Sequence, residues 1–336
     1  MTTQKRIAEI LDITQATVST AFRHPDAVAP ETRRRIYEVA QEIGYTRHAA
    51  ATSMATGRHG RERFGSVVLL REARAFTGRP IFTLDALVDT FEQHDLSLVL
   101  ANLVNDNEHY VEPRPLRYRM ADGMIVFLGG EPCQALSAQL SATRMPLVFV
   151  DQKGSHNRIY LDDHGAAVTL TEHLIAAGHR RIAYLDPALT VSDAHHSRPD
   201  RLAGYRAAMT AAALKPQLVA PGPESDAAPS GVKRLLAGAN APTAIIAYSE
   251  YHLAACFQAA TDLGLRVPQD LSVASFDESP TLFGARLTTM IAPREACGRH
   301  AADMLLGLIN EPEQAQPSLV LPWSLDRGET VASPPT

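Results

Sequence analysis

The sequence predicts an α/β protein in which an all-α helix-turn-helix head precedes a two-lobed core of parallel sheets. Three observations lead to this fold class. Residues 4–43 contain three short amphipathic segments, and from Phe64 onward short apolar runs alternate with amphipathic helices. The apolar runs, among them VVLL, MIVFL and LVFV, have no polar face. Strands of that kind are typical of parallel sheets that helices cover on both sides.

The composition is that of a globular protein. The 336 residues are 45% hydrophobic and 21% charged, which excludes a disordered or collagen-like chain, and the length suggests two or three domains. No apolar run reaches the roughly 18 residues of a membrane span, and the amino terminus does not have the pattern of a secretory signal. The scattered cysteines Cys133, Cys256 and Cys297 form neither a disulfide framework nor a metal knuckle. We therefore expect a protein of the reducing cytoplasm.

The charge is divided unevenly along the chain. Residues 1–63 contain ten Lys and Arg and seven Asp and Glu, a net charge of +3, whereas the whole chain carries −5 and the remainder therefore −8. A basic head on an acidic body indicates a polyanionic partner. A solvated surface without any such partner would have the same balance, so the charge alone does not decide between them.

The first predicted helix of the head spans residues 4–11. Its residues Ile7, Ile10 and Leu11 have the i, i+3, i+4 spacing of one apolar face. Asp12 follows, and aspartate tolerates the left-handed conformation of a tight turn.

The second predicted helix spans residues 15–23 and follows Thr14, a residue type that caps helix amino termini. Its residues Val18 and Phe22 are four apart and face inward. Pro25 ends it.

The third predicted helix spans residues 31–43, after Pro30, and ends before Gly44. Its inward-facing residues have helical spacing: Ile36, Val39, Ala40 and Ile43. Two short helices joined by a tight turn and supported by a third make a helix-turn-helix unit. The alternative is a three-helix cap on a larger protein.

Three runs in this region resemble the DNA-binding head of the LacI/GalR family of bacterial transcription regulators: IAEILDITQATVSTAF, VAPETRRRIYEVAQEIGY and AAATSMATG. The resemblance continues through the body of the chain. It implies a DNA-binding domain at residues 1–46, a hinge helix or linker at 47–60 and an effector-binding core at 61–336. It also implies that the second helix enters the major groove of DNA.

Within this resemblance, the second helix supplies the DNA contacts. Gln15 and Ala16 lie at its amino-terminal end, where side chains reach base edges first, and glutamine pairs with adenine while alanine contacts the thymine methyl group. Thr20 stands where the family usually has arginine, so an arginine–guanine contact is not available there. Thr17 and Ser19 have short hydroxyl side chains, which suit contacts to phosphate oxygens. The alternative is that they belong to the ordinary surface of the helix. The expected DNA contacts are Thr14, Gln15, Ala16, Thr17, Ser19, Thr20 and Arg23.

The family's hinge helix forms when two subunits bind DNA, and it kinks the duplex by inserting a leucine pair into the minor groove. In this chain Arg47 replaces the family's proline, His48 its asparagine and Met54 its leucine. The resemblance still implies DNA contacts from His48, Ala51 and Met54. An inert linker is the alternative.

The body carries two further runs that resemble the effector-binding core of the same family, HLIAAGHRRIAYL and LGLRVPQDLSVASFDE. That core is similar to periplasmic sugar-binding proteins, in which the chain crosses about three times between two α/β lobes. We assign the first lobe to about residues 63–161 and 292–321, and the second to about 162–291 and 322–330. Ligands bind in the cleft between such lobes, at the carboxyl ends of the strands.

Position in the sequence and the resemblance together select the candidate effector contacts: Phe82, Asp151, Ser197, Arg201, Tyr248, Ser249 and Asp277. Asp277 and Arg201 correspond to an aspartate and an arginine that contact the ligand in the family. Tyr248 and Ser249 replace a common Asn-Asp pair with an aromatic ring and a single hydroxyl. The alternatives are that Asp277 caps the next segment and that Arg201 forms a structural ion pair.

His195 and His196 lie beside Asp193 and raise the question of a metal site. No third ligand at helical spacing accompanies them, so we expect neither a metal nor a cofactor. The chain also lacks the Walker, GxGxxG, GxSxG and HExxH motifs, and we expect no enzymatic activity.

The sequence therefore favours a transcriptional repressor, acting as a homodimer on a pseudo-palindromic double-stranded DNA operator and controlled by a small-molecule effector. A sugar is the usual effector in the family. The alternative function is a solute-binding protein of the same core fold, which would need an export signal and would not carry residues 1–57.

Overall fold

The structure is a computed structural model that describes residues 4–23, 25–45, 64–72, 81–105, 110–111, 113, 117, 120–128, 134–143, 145–186, 195–220, 227–276 and 284–335. Four of the predicted site residues lie outside these ranges: His48, Ala51, Met54 and Asp277. The chain divides into two compact units, the head (Met1–Phe64) and the core (Gly65–Thr336).

The head contains the three helices that the sequence predicts. They are α1 (Gln4–Leu11), α2 (Gln15–Arg23) and α3 (Pro30–Glu42), with a single 3-10 turn at Pro25–Ala27 among the described residues. Asp12 and Gly44 take positive φ angles of 53° and 63°, the left-handed conformation in which helices commonly end. The helix-turn-helix prediction is confirmed.

The helices of the head pack around a small apolar core. Its buried members are Ile7, Ala8, Val18, Ala21, Ile36, Val39 and Ala40. The prediction that Ile10 faces this core is wrong, because its side chain is 45% exposed. At 100° per residue, a face that contains Ile7, Ala8 and Leu11 turns Ile10 toward solvent.

Two kinds of contact fix α2 in the head. The Thr14 hydroxyl accepts a hydrogen bond from the amide of Thr17 at 3.1 Å, so Thr14 caps the helix as predicted. The Phe22 ring lies 5.3 Å from the ring of Tyr37 and 5.6 Å from that of Tyr45. The Tyr37 hydroxyl donates to the carbonyl of Ala21 at 2.9 Å.

The strands of the core form two sheets. They are β1 (Ser66–Glu72), β2 (Ser97–Asn105), β3 (Tyr110–Val111), β4 (Gly123–Phe127), β5 (Leu147–Val150), β6 (Arg158–Leu161), β7 (Ile182–Leu185), β8 (Gln217–Val219), β9 (Ala244–Ala247), β10 (Ser272–Phe276), β11 (Thr288–Ile291), β12 (Leu319–Leu321) and β13 (Ser324–Asp326). As described, one sheet has seven strands in the order β12-β6-β5-β4-β1-β2-β3, and the other has six in the order β13-β11-β10-β9-β7-β8. We call the two halves of the core the first lobe and the second lobe in that order.

The sheets are parallel except at their edges. β3 pairs antiparallel with β2, and β13 pairs antiparallel with β11. The sequence predicts wholly parallel sheets, and these two short edge strands are the difference. The two-lobed α/β prediction is otherwise confirmed.

Helices cover both sheets. They are α4 (Leu84–Glu92), α5 (Gln134–Ala142), α6 (Asp163–Ala176), α7 (Ser197–Ala211), α8 (Ala227–Leu236), α9 (Glu250–Asp262) and α10 (Arg294–Asn310). α4 and α10 pack in one apolar cluster of the first lobe with residues of β1, β4, β5 and β6. α6 and α7 pack together on the second lobe with residues of β7, β9 and β10.

The chain passes between the lobes after β6, after β11 and after β12. These passages bring the carboxyl ends of strands from both sheets to one junction. Among the described helices, none has the length and apolar character that crossing a membrane requires.

Candidate functional site

The strand ends at the junction of the lobes carry polar side chains. Asp151 follows β5 of the first lobe, whereas Asp186 and Tyr248 follow β7 and β9 of the second. Carboxyl ends of parallel strands are the usual place for a ligand in such sheets. This edge is the candidate site.

Asp151 joins the two lobes. Its φ angle of 65° is unusual for a residue with a side chain, and both its carboxylate and its carbonyl oxygen lie against two histidines that precede α7. The carboxylate lies 3.3 Å from His195 Nε2 and 3.4 Å from His196 Nε2. The carbonyl oxygen lies 3.1 Å from each of the same two nitrogens. We call these three residues the Asp–His cluster.

The two imidazoles of this cluster are packed together, with ring centroids 4.1 Å apart. His195 Nδ1 lies 3.0 Å from the hydroxyl of Ser197, which in turn lies 2.8 Å from the hydroxyl of Tyr248. The His196 ring stands edge-on to Tyr160 of the first lobe at 6.2 Å. Contacts from both lobes therefore fix the two rings.

The Asp151 carboxylate and the His195 imidazole each favour the charged form of the other. Burial would raise the pKa of the Asp151 carboxyl, but the charges and hydrogen bonds of His195 and His196 outweigh it and hold this pKa well below its usual range. Burial would lower the pKa of His195, but the Asp151 carboxylate outweighs it and raises that pKa above its ordinary value. The carboxylate therefore stays ionised and attracts positive charge.

A buried ion pair lies beside the cluster. Arg201 Nε donates to Asp163 Oδ1 at 2.7 Å, and Arg201 also donates to the carbonyl of Tyr248 at 2.7 Å. Burial raises the pKa of Asp163 in spite of this arginine. The structural ion pair that the sequence left open as an alternative for Arg201 is present.

Three aromatic rings surround the Arg201 guanidinium. Its carbon lies 5.0 Å from the ring centroid of Tyr248, 4.4 Å from that of Phe276 and 5.0 Å from that of Trp323. Trp323 packs against the apolar clusters of both lobes. Arg198 lies over the Tyr248 ring at 4.2 Å, and it pairs with the buried carboxylate of Asp186.

The structure brings four predicted effector contacts together: Asp151, Ser197, Arg201 and Tyr248. Ser249 is also buried and lies at the start of α9, where its hydroxyl is 2.9 Å from His252 Nδ1. Phe82 belongs to the apolar core of the first lobe, 2% exposed and edge-on to Phe127. Its role as an aromatic wall of the cleft stays a prediction.

The predicted DNA contacts of the head lie at and after the amino-terminal end of α2. Thr14, Gln15 and Ala16 are exposed, and Thr17, Ser19 and Thr20 are half-buried. Arg23 is the last residue of the helix. The first turn of α2 therefore presents its side chains to solvent.

Sequence reasoning missed several charged residues of the junction, namely Asp163, Asp186, Arg198, Asp200 and Lys153. His196 Nδ1 lies 3.6 Å from Asp200 Oδ2, an i, i+4 pair that was visible in the sequence. Lys153 pairs with the same Asp200. The sequence predicted no metal site because no third ligand was evident beside the two histidines. In the structure, ligand atoms of Asp151, His195 and His196 lie within 4.8 Å of one another.

Comparison with known proteins extends over nearly the whole chain. Residues 171–331 match the periplasmic binding protein-like domain. The ribose operon repressor of Haemophilus influenzae is 28% identical over 332 residues, covering 96% of each chain. The HTH-type transcriptional repressor PurR of Klebsiella pneumoniae is 26% identical over 348 residues, covering 99% of this chain and 98% of the relative.

Solved structures give the same result for the fold. The lac repressor dimer bound to operator and the anti-inducer ONPF superposes with a TM-score of 0.78 at 21% identity, covering 98% of this chain and 99% of that one. The transcriptional regulator CelR in complex with cellobiose has a TM-score of 0.64 at 23% identity, covering 98% and 100%. The chain is therefore similar, over nearly its whole length, to repressors and regulators of the LacI family. The similarity extends over the head as well as the core.

Proposed function

We propose that this protein is a sequence-specific DNA-binding repressor of the LacI/GalR type, whose operator affinity is controlled by a small molecule bound between its lobes. One observation carries the proposal. The same chain has an exposed helix amino terminus on a basic head and a polar junction between the two lobes of its core. Relatives that share both parts over their full length are repressors by name.

In this proposal α2 enters the major groove. The exposed Gln15 and Ala16 reach base edges, while Thr14 and Thr17 approach phosphates near the positive end of the helix dipole. One head covers one half-site. A homodimer therefore reads two half-sites of a pseudo-palindrome, about one helical turn of DNA or a multiple apart.

The effector acts by shifting a population. A molecule that contacts Asp151 on the first lobe and Ser197 or Arg201 on the second stabilises one relative arrangement of the lobes. Operator affinity changes only if that molecule binds one arrangement better than the other. The same coupling requires that operator DNA changes effector affinity by an equal factor.

The junction selects a small polar effector. Ionised and hydroxyl groups at the strand ends favour a ligand with several hydrogen-bonding groups, and the Tyr248 ring adds an apolar face. We propose a sugar or a related metabolite of that size. The proposed function includes no catalytic step and no cofactor, and a DNA-binding regulator of this kind acts in the cytoplasm.

DNA selection from a random duplex pool tests the proposal. The full chain is expected to enrich a pseudo-palindrome and to bind it about 1,000-fold or more tightly than unrelated DNA of equal length. Recovery of no consensus would contradict a repressor function. If the chain then still bound a small molecule, the solute-binding alternative would replace it.

A ligand screen tests the second half of the proposal. The full chain is heated with single sugars and nucleobases, and a true effector raises its melting temperature because it binds the folded state. That compound must also change the midpoint of a gel-shift titration with the selected operator. Stabilisation without any change in operator affinity would contradict effector control.

A further inference from the structure

We propose that Asp151, His195 and His196 form a binding site for one divalent transition-metal ion of the zinc class at the junction of the two lobes. The site is assembled from both lobes, because Asp151 follows β5 and the histidines precede α7. The proposal rests on donor chemistry, spacing, the groups behind the ligands and local charge.

Two imidazoles and one carboxylate are a donor set that suits zinc and its neighbours in the transition series. Zinc takes nitrogen and oxygen donors at about 2.0–2.2 Å, so neighbouring donors around a tetrahedral ion lie about 3.3 Å apart. The carboxylate of Asp151 lies 3.3 Å from His195 Nε2 and 3.4 Å from His196 Nε2. These two nitrogen–oxygen separations match the spacing that the ion imposes, and ligand atoms of all three residues lie within 4.8 Å of one another.

The groups behind the ligands also fit. A histidine that binds a metal through Nε2 carries its proton on Nδ1 and donates it to a carboxylate, carbonyl or hydroxyl group. His195 Nδ1 has the Ser197 hydroxyl at 3.0 Å. The Ser197 amide, 3.3 Å from the same nitrogen, favours the opposite tautomer when no cation is bound.

The surroundings of His196 also suit a metal bound through Nε2. Its Nδ1 atom is buried and has no hydrogen-bond partner within the described part of the chain. Two carboxylate oxygens lie just beyond hydrogen-bond distance of it, Asp200 Oδ2 at 3.6 Å and Asp163 Oδ2 at 4.0 Å. A metal on Nε2 would place the Nδ1 proton toward these two carboxylates.

The charges around the Asp–His cluster also favour a bound cation. Asp163 pairs with Arg201 and Asp200 pairs with Lys153, so both of these carboxylates have a cation of their own. The ion pairs of Asp151 in the described structure are with the two histidines alone. The half-buried Asp151 carboxylate thus has no lysine or arginine partner among the described residues, and a divalent ion would add positive charge beside it.

An ion at this position would tie the first lobe to the second. If the proposed repressor function holds, metal binding would then restrict the same lobe movement that an effector exploits. Metal binding itself does not depend on that function, and it is measured without DNA.

The test uses the full chain, freed of metal with a chelator and then titrated with ZnCl2 by calorimetry. Bound zinc is counted by elemental analysis after dialysis. We expect one zinc ion per chain. Asp151→Asn and His196→Gln each remove one ligand and change the size of the side chain little. Each should weaken zinc binding by about 100-fold or more. Removing a residue that only supports a ligand costs up to about 100-fold, and removing the ligand itself should cost at least as much.

His156→Gln is the matched control. His156 is an exposed histidine of the first lobe outside the cluster, and its replacement should leave zinc affinity within about twofold of the wild-type value, which is less than about 0.5 kcal/mol. Binding of CoCl2 to the wild-type chain adds a readout that needs no variant, because tetrahedrally coordinated cobalt absorbs visible light much more strongly than the hydrated ion.

Absence of stoichiometric zinc and cobalt binding by the wild-type chain would overturn the proposal. So would equal zinc affinity in wild type, Asp151→Asn and His196→Gln, since the metal would then lie elsewhere. Operator binding measured in the presence of chelator separates this result from a failure of the repressor function.

Discussion

Gly204 in α7 lies directly against the carbonyl oxygen of His164 in α6. A Cβ atom at position 204 would overlap this oxygen and would come within 2.9 Å of the Cβ atom of Ala167. A backbone oxygen cannot rotate away as the end of a flexible side chain can. The close packing of these two helices on the second lobe therefore depends on glycine at this position.

Gly204→Ala should lower the free energy of unfolding by about 1–3 kcal/mol, the usual cost of overpacking a tight interface. Urea unfolding followed by circular dichroism measures it. Gly307→Ala is the matched control, because its new Cβ would first meet the mobile end of the Gln316 side chain. We expect a change under about 1 kcal/mol there, and equal losses in both variants would contradict the packing argument.

Arg201→Met should destabilise the second lobe because it leaves the buried carboxylate of Asp163 without its cation. The expected loss is about 3–5 kcal/mol, as for other buried pairs broken on one side. Adding Asp163→Asn to that variant removes the stranded charge and should recover part of the loss. If the double variant is no more stable than Arg201→Met alone, the ion pair is not what holds Arg201 in place.

His179 should make stability depend on pH in mild acid. It is fully buried, with Nδ1 2.8 Å from the Thr243 hydroxyl and Nε2 2.9 Å from the carbonyl of Ala332. Burial lowers its pKa, and the hydrogen bond to Ala332 offsets burial only in part. The folded state therefore favours the neutral ring.

The direction of the pH effect on stability follows from the lowered pKa of His179. Stability due to the neutral ring is complete above the unfolded-state pKa of about 6.5 and is lost as the pH falls below it. Wild type should lose stability as the pH falls below about 6.5, measured as the urea midpoint at several pH values. His179→Gln should be less stable at pH 7.5 but less sensitive to acid in that range. Parallel curves for the two proteins would disprove the role.

Gln15 and Arg23 should have different roles in DNA binding. Gln15→Ala is expected to change which base is preferred at one position of each half-site, because a bidentate glutamine–adenine contact is worth about 1–3 kcal/mol. Arg23→Ala is expected to weaken all operator sequences about equally, as the loss of a phosphate contact does. Repeating the duplex selection with each variant distinguishes them. An equal loss on every sequence for both variants would rule out Gln15 as a base reader.

Much of the fold could be predicted because local patterns determine it. Helical spacing placed α1, α2 and α3 within one residue of their observed bounds, and Thr14 was recognisable as a cap from its residue type. Ile10 was misplaced because three apolar residues at helical spacing do not define the centre of the buried face. The antiparallel edge strands were missed because strands as short as β3 and β13 have no periodicity of their own.

The candidate site was harder to predict because its residues meet only in three dimensions. Asp151 and His195 are 44 residues apart in the sequence, and nothing local indicates that the junction of two lobes brings them together. The partner of Arg201 was equally hidden, since Asp163 begins a helix and appears in sequence as one of its first-turn acids. The Arg198 guanidinium over the Tyr248 ring could not be foreseen either, because tyrosine itself was an unexpected residue there.

Trp323 gives the protein an optical reporter of its own. It is the single tryptophan of the chain, and it packs against both lobes with the Arg201 guanidinium 5.0 Å from its ring. Indole fluorescence responds to the polarity and charge around the ring, so any compound or ion that rearranges the lobes changes the emission of one known residue. Unlabelled protein and a fluorimeter are therefore enough to follow the movement of the lobes as ligand is added.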